Sequence, residues 1–546
     1  MAIAAGCTPS TSSSGGSTTA SGPVKGGKLS FYIGDVTAID PYNAQESEGV
    51  QVAQSLFDSL TVVDPKSGKV KPAAADSWSS DASATVWTFK LHPGAKFADG
   101  TAVTAKDFVY AWNRIAESAS KNATDPSEIS YHLAPVVGYD EAQAKGTPMA
   151  GVKAIDDMTL QVTLQYSFAD WPYVVAHVAL APVSQKLVEG GVDYNGKKVP
   201  FAEMPVGNGP FKMSEPWKRD QYIKVVRNDD YYGKKALLDG VNFMIFKDLD
   251  TAYREFQAGT IDFTQIPDGQ IAIAKQKYGV SDDGYIVQPG KGVVLGAETA
   301  IYFLSIDTAK KPFDNPNLRK ALTMAINRKA INDVVYEGTR IIATGMVPPG
   351  LPGYEKDQFP DSKYDIAGAK QALADAGYPG GKGLPVVTIN YNVGAGHAKV
   401  VELVQSDLKA IGITIKTETL EGAQHWDKLR TTKYDLGRDG WSADYPIADN
   451  FTYPFFFSKS SDNHSHFATA TVDADILKAR ATLDLTARAA LYAKAQQAVG
   501  SQNPVIPIVY YAHRHVGSNR LHDFYFDNQY FAHFEDAWLT GGGAAK

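Results

Sequence analysis

The sequence predicts an α/β protein of several domains, and three observations carry that prediction. At 546 residues the chain is too long for one ordinary core and fits two to four domains. Short segments that alternate apolar and polar residues, as half-buried strands do, are interspersed with segments whose apolar residues recur at helical spacing. Apolar residues make up 44% and charged residues 21%, a balance of packed domains rather than of a disordered chain.

Taken in order, residues 29–33 read as a first strand. A helix is predicted over 48–60, where Val52, Leu56, Phe57 and Leu60 share one face. Residues 86–91 alternate as a strand and stop at His92-Pro93-Gly94. Thr104 with Asp107 three residues on forms a capping box, and Phe108, Trp112 and Ile115 follow on one helical face. Residues 151–164 read as a strand pair turning at Asp156-Asp157. One amphipathic helix is predicted over 318–335, with Leu322, Ala325, Ile326 and Val334 on its apolar side. A strand over 385–391 precedes a helix over 399–410 with Val400, Val401, Val404 and Leu408 on one face. Gly412 ends that helix, and Ile413, Ile415 and Thr417 alternate as the next strand. Residues 505–511 form a late apolar strand. This mix of βαβ units and hairpins implies α/β lobes.

Composition excludes several function classes. No run of ~18 apolar residues occurs, so no membrane-spanning helix is expected. The net charge is −7 and no Lys/Arg cluster stands out, which argues against nucleic acid as a partner. A single cysteine, Cys7, rules out an intrachain disulfide framework and a Cys-based zinc cluster. No G-x-S-x-G, H-E-x-x-H or G-x-x-x-x-G-K-[ST] occurs, so no catalytic residue is assigned and the chain is not expected to be an enzyme. The pairs His464/His466 and His513/His515 read as polar residues without a third ligand at short spacing, so neither a metal nor a cofactor is expected. Asp229-Asp230 and Asp282-Asp283 read as turns.

Two resemblances add to this reading. Ala4-Ala5-Gly6-Cys7, followed by a Ser/Thr/Gly-rich run, resembles the end of a bacterial lipoprotein signal, whose cysteine receives a diacylglycerol. The charged and apolar parts of such a signal do not stand before it, so the start of the signal is expected to be missing. The alternative is an unused thiol near a chain end. The second resemblance rests on residues 88–100, Thr-Phe-Lys-Leu-His-Pro-Gly-Ala-Lys-Phe-Ala-Asp-Gly, and 103–110, Val-Thr-Ala-Lys-Asp-Phe-Val-Tyr. It extends to Gly207-Asn208-Gly209-Pro210-Phe211, Arg227-Asn228-Asp229-Asp230-Tyr231-Tyr232, Lys311-Pro312-Phe313-Asp314, Ala325-Ile326-Asn327-Arg328 and Arg438-Asp439-Gly440-Trp441-Ser442-Ala443-Asp444-Tyr445. These segments resemble the oligopeptide- and dipeptide-binding proteins of bacterial ABC importers, extracellular solute-binding protein family 5.

That resemblance implies a two-lobed periplasmic-binding-protein-like fold (type II, cluster C) with an additional third domain and hinge closure. Domain I would comprise 28–60, 198–299 and 514–546, domain II 61–197 and domain III 300–513, after an anchor and tether over 1–27. The implied ligand is an oligopeptide bound between domains I and III through its main chain and terminal charges. Asp444 would hold the ligand's α-ammonium, or else cap a turn. Trp441 would wall the cleft, or else be core. Arg438 would reach a ligand acid group or pair with a nearby aspartate. Glu48, Gly49 and Val50 match a segment whose backbone contacts ligand, Asn208 falls in another cleft-lining segment, and His397 matches a position that can contact ligand carboxylates. Ser442 replaces a cysteine of some members, and Leu429 stands where some carry a basic residue. The implied partners are the permease subunits and, through Cys7, the outer face of a cell membrane, with the protein itself a monomer. Within the same fold, a binder of nickel chelate, haem or oligosaccharide remains an alternative, as does a peptide-signal receptor without transport.

Overall fold

The computed structural model describes residues 22–118, 127–394, 396–431 and 434–541. Cys7 and residues 8–21 of the expected tether lie outside the described residues. By Gly26 the chain is already pinned: Gly26 N donates to Leu237 O at 2.9 Å and Gly27 N to Asp239 Oδ2 at 3.0 Å.

Two lobes follow from how three main sheets share their cores. The first sheet has seven strands in the order Phe211–Met213, Tyr222–Arg227, Gly240–Ile245, Lys28–Ile33, Phe263–Gln265, His515–Gly517 and Val293–Val294. Lys28–Ile33 runs parallel to Gly240–Ile245 with Phe31 opposite Phe243, and Leu29, Phe31 and Ile33 all point into the core. The second sheet has four strands, Ala75–Ser80, Val86–Leu91, Thr159–Thr163 and Val152–Asp156, all antiparallel. Helix Ala105–Glu117 covers it. The helix starts at the predicted capping box, where the Asp107 carboxylate accepts from Thr104 N at 2.8 Å. Trp112 is fully buried and its Nε1 donates to Leu180 O at 2.9 Å. The apolar side chains of these two sheets form one continuous core.

The third sheet makes the other lobe. Its six strands run Ile341–Ile342, Val505–Ala512, Ala297–Ile306, Leu436–Ser442, Val387–Asn392 and Ile415–Leu420. Strand Ala297–Ile306 is covered on both faces, as its nearly continuous apolar run requires. Tyr302, Leu304 and Ile306 meet a core that includes helices Pro316–Ala325, Ile366–Asp375 and His397–Lys409. Ile301 and Phe303 meet a second core with helices Asp449–Phe456, Ala470–Arg480 and Leu485–Gly500. The chain crosses between the lobes twice, at 295–296 and at 513–514. The crossings lie side by side, with His513 N donating to Gly296 O at 2.9 Å.

The lobes also meet through a buried charged network. Asp170 and Asp449, both fully buried, face Arg488 and Arg480. Arg488 Nε lies 2.7 Å from Asp170 Oδ1, and Arg480 Nε lies 3.4 Å from Asp449 Oδ1. Tyr492 OH lies between the two carboxylates, 3.2 Å from Asp170 Oδ2 and 2.8 Å from Asp449 Oδ1, with one proton to share between them. Burial pushes the Asp170 pKa up to about 6 against the pull of Arg488. Burial also opposes the Arg480 charge, but Asp449 outweighs it and raises the pKa.

Two predicted helices end differently. The helix predicted over 48–60 is Ser47–Leu56, and Phe57 is extended. The peptide groups of Asp58 leave the helix for Asn208, whose Oδ1 accepts Asp58 N and whose Nδ2 donates to Asp58 O, both at 3.0 Å. A Cβ on Gly207 would sit 2.0 Å from Leu56 O, so only glycine lets these segments approach. The single helix predicted over 318–335 is two, Pro316–Ala325 and Arg328–Val335. Asn327 breaks it: its Oδ1 accepts Ala330 N at 3.0 Å while its own N–H goes to Asp407 at 2.8 Å. Buried Arg328 satisfies freed carbonyls at the break, donating to Thr323 O and Ile326 O at 3.1 Å. The second helix restarts in a new phase, and Val334, predicted apolar-side, is exposed.

Candidate functional site

Where the lobes face each other they enclose a cavity of about 300 Å³. One wall is helix Ser47–Leu56 and the extended Phe57–Asp58 that follows. Opposite lie Ser442, Ala443 and Asp444 at the end of strand Leu436–Ser442. Tyr131, Tyr173 and His177 come from the segments beyond the four-stranded sheet, and residues 527–535 of the C-terminal tail close the remainder.

Asp444 is the best-prepared group in it. Its Oδ1 accepts Tyr131 OH at 3.0 Å and its Oδ2 accepts Asn450 Nδ2 at 3.1 Å. Its backbone N–H donates to Asn450 Oδ1 at 2.9 Å, which fixes the turn. Among the described residues no Lys or Arg pairs with it. His177 is no substitute: burial, then His132 stacked 4.5 Å away, hold its pKa down to about 3, so it is neutral. Burial pushes the Asp444 pKa up while Asn450 and Tyr131 pull it down. The result is a carboxylate held by neutral donors with no counter-charge.

Of the other predicted residues, Val50 lines the same cavity. Trp441 lines an adjoining space of about 560 Å³ that also reaches Asp444. Its Nε1 donates to Asn450 Oδ1 at 2.8 Å and its ring stands on Phe455, centroids 5.3 Å apart. Trp441 and Asp444 are therefore tied through one asparagine. Arg438 and His397 form a separate group on the opposite face of the six-stranded sheet, around Tyr302. The Arg438 guanidinium lies 5.1 Å from the Tyr302 ring and Nη1 donates to Asn392 at 3.4 Å, with no carboxylate partner among the described residues. The His397 ring is 5.6 Å from Tyr302, and burial, then Arg438 and His425, hold its pKa down to about 4. Glu48 lines a third cavity of about 60 Å³ with Tyr32, Gln265, His515 and Tyr530. Gly49 packs against the main chain, where a Cβ would lie 2.1 Å from Ala38 O. Asn208 is fully buried, and its amide is occupied by the Asp58 main chain.

Several cavity residues were missed by sequence reasoning: Tyr131, Asn450, Asp58, His177 and Glu535. Asn450 lies six residues after Asp444, and its role is visible only once the turn closes.

Comparison with known proteins bears on this geometry. The description "Bacterial extracellular solute-binding proteins, family 5 Middle" matches residues 69–463. The chain belongs to this family. Family 5 relatives include the oligopeptide-binding protein OppA of Bacillus subtilis (strain 168), 29% identical over 90% of this chain and 90% of the relative. The periplasmic oligopeptide-binding protein OppA of Haemophilus influenzae is 31% identical over 87% of this chain and 86% of its own. Among solved family 5 structures, the unliganded open form of the periplasmic murein tripeptide-binding protein MppA superposes with a TM-score of 0.80 at 26% identity, covering 95% of this chain and 99% of that one. The H. influenzae OppA complex with RPPGFSPFR gives a TM-score of 0.66 at 27% identity, over 94% and 99%. The chain thus has the two-lobed α/β fold of family 5. The family it belongs to is one of extracellular solute-binding proteins, its relatives include a periplasmic binding protein, and no helix among the described residues is long and apolar enough to cross a membrane.

Proposed function

We propose that the chain captures oligopeptides between its lobes and delivers them to the permease subunits of an ABC importer. The observation that carries this reading is Asp444, a carboxylate lining the cavity with only neutral hydrogen-bond donors. A charge removed from water without a partner is costly, and an arriving α-ammonium compensates it. The relatives, oligopeptide-binding proteins, support the same ligand class. In this reading the ligand's main chain pairs with main-chain groups near Val50 and Ala443, so side-chain identity is only loosely read. We place domain I at 28–60, 198–295 and 514–546, domain II at 61–197 and domain III at 296–513, the boundary expected at 299 moving to the crossing because strand Ala297–Ile306 belongs to the six-stranded sheet, with closure by rotation about the paired crossings. Glu48, Gly49, Val50 and Asn208 then act from domain I, and Asp444, Trp441, Arg438 and His397 from domain III.

Native mass spectrometry of the freshly purified protein tests this directly. The expected result is a co-purified ligand released on denaturation and sequenced as a peptide. A nickel chelate, haem, oligosaccharide or bile salt in its place overturns the peptide reading.

The anchor is a second part of the proposal. Cys7, lipidated, would hold the protein as a monomer on the outer face of the cell membrane, with the tether expected over 8–27 ending at Gly26, where the chain is pinned to the fold. Expressed behind a complete lipoprotein signal, Cys7→Ser should move the protein from the membrane fraction to the medium or soluble envelope. Unchanged membrane retention rejects the lipid as anchor.

A further inference from the structure

Among the described residues that line the main cavity there is no lysine or arginine, yet the lining carries Asp58, Asp444, Asp527 and Glu535. Among the described residues one of these has an ion-pair partner: Asp527 Oδ2 lies 2.8 Å from His533 Nε2. Burial opposes a charge on His533, but the bond to Asp527 outweighs it and raises the pKa. That pair is satisfied by its own hydrogen bond. Asp444 is the site already assigned to the α-ammonium. Asp58 and Glu535 are left over.

Asp58 is held as a preset acceptor. Asn208 clamps its main chain on both sides, at 3.0 Å each. Tyr231 OH, at 2.8 Å, and Tyr232 OH both donate to Oδ2. Oδ1 accepts nothing among the described residues and belongs to the side chain with which Asp58 lines the cavity. Two phenols on one oxygen fix the plane of the carboxylate and leave its second oxygen for an occupant. Glu535 has no hydrogen-bond or ion-pair partner among the described residues, and its charge bears on Asp58. A fold does not gain stability from two neighbouring, uncompensated carboxylates in a part-buried cavity; it gains when a cation arrives.

We propose that Asp58 and Glu535 form a subsite for a basic side chain, so that the preferred ligands are peptides carrying lysine or arginine close to the amino terminus. This rests on the peptide reading and goes beyond it, since that reading is indifferent to side chains. It also gives Asn208 a function: it is a positioning residue that acts through Asp58. Burial, eased by the two tyrosines, pushes the Asp58 pKa up to about 6, so the carboxylate is mostly ionised at neutral pH.

The test is calorimetry with three tetrapeptides, Lys-Ala-Ala-Ala, Ala-Lys-Ala-Ala and Ala-Ala-Lys-Ala, each beside its norleucine counterpart. The three lysine peptides carry the same charge. A general attraction to a chain of net charge −7 therefore favours all three alike, whereas a subsite favours one register. The expected result is a lysine advantage of about tenfold or more at one position. Asp58→Asn with Glu535→Gln should abolish that advantage while the norleucine peptides still bind, which also reports that the variant is folded. The amide oxygen that Asp58→Asn introduces still accepts from the two tyrosines. Lysine and norleucine peptides binding equally at all three positions overturns the subsite while leaving the peptide reading intact. So does an advantage that survives both substitutions. Failure of every peptide to bind overturns both.

Discussion

Asp444→Ala is expected to weaken a free-amine peptide by about 2–5 kcal/mol, the usual cost of removing one partner of a desolvated charge pair. The same peptide acetylated at its amino terminus should lose far less, because it brings no cation to the carboxylate. Calorimetry of both peptides on both proteins gives the comparison, and equal losses reject Asp444 as the ammonium acceptor. The pH dependence has a fixed sign. The pKa of Asp444 is raised, so the empty site takes up its proton at higher pH than an ordinary aspartate, about 3.9. Affinity for the free-amine peptide should be complete above the raised value and fall as pH drops through it. Asn450→Ala should give a partial loss, since it removes Nδ2 from the carboxylate and the acceptor for both Trp441 and the Asp444 N–H.

The largest stability effect is expected at the charged network between the lobes. Arg488→Met leaves Asp170 fully buried without its guanidinium and should cost about 3–5 kcal/mol. Part of that cost comes from the carbonyls of Thr482 and Leu483, which Arg488 Nη1 also bonds at 2.7 and 3.0 Å. A double-mutant cycle with Asp170→Asn separates the two contributions. Losing the cation raises the Asp170 pKa further above about 6, so the destabilisation should be full at alkaline pH and shrink as pH falls and the carboxyl takes up a proton. Urea unfolding followed by tryptophan emission at pH 5 and pH 8 checks this. Equal losses at both, with no coupling in the cycle, would remove the ion pair as the cause.

Much of the architecture was legible in the sequence because it depends on local periodicity. The Lys28–Ile33 and Val86–Leu91 strands, the Thr104 capping box and the strand pair around Asp156-Asp157 are each set by residues within one element. The break at Asn327 was not legible, since it depends on Asp407 taking that residue's N–H from 80 positions away. The site followed the same rule. Asp444 and Trp441 sit in a recognisable run, whereas Tyr131 and Asp58 join them only after segments hundreds of residues apart have met. Asn208 shows the converse: its motif marks the right neighbourhood, but its amide serves the main chain of Asp58 rather than the open cavity.

The paired crossings have a consequence for how the chain is made. Strand His515–Gly517 lies between Phe263–Gln265 and Val293–Val294 in the seven-stranded sheet. Gln51, near the start, exchanges two hydrogen bonds with the main chain of Ala532, 481 residues away, at 2.6 and 3.2 Å. The lobe encoded first is therefore completed last. A nascent chain that has emerged to residue 500 holds every strand of the six-stranded sheet but Val505–Ala512, and still lacks the piece that joins two strands of the other. Contacts of such sequence separation form late because loop closure must precede them. Synthesis from one end thus delays native closure of the amino-terminal lobe until the segment from His515 to Ala532 has arrived.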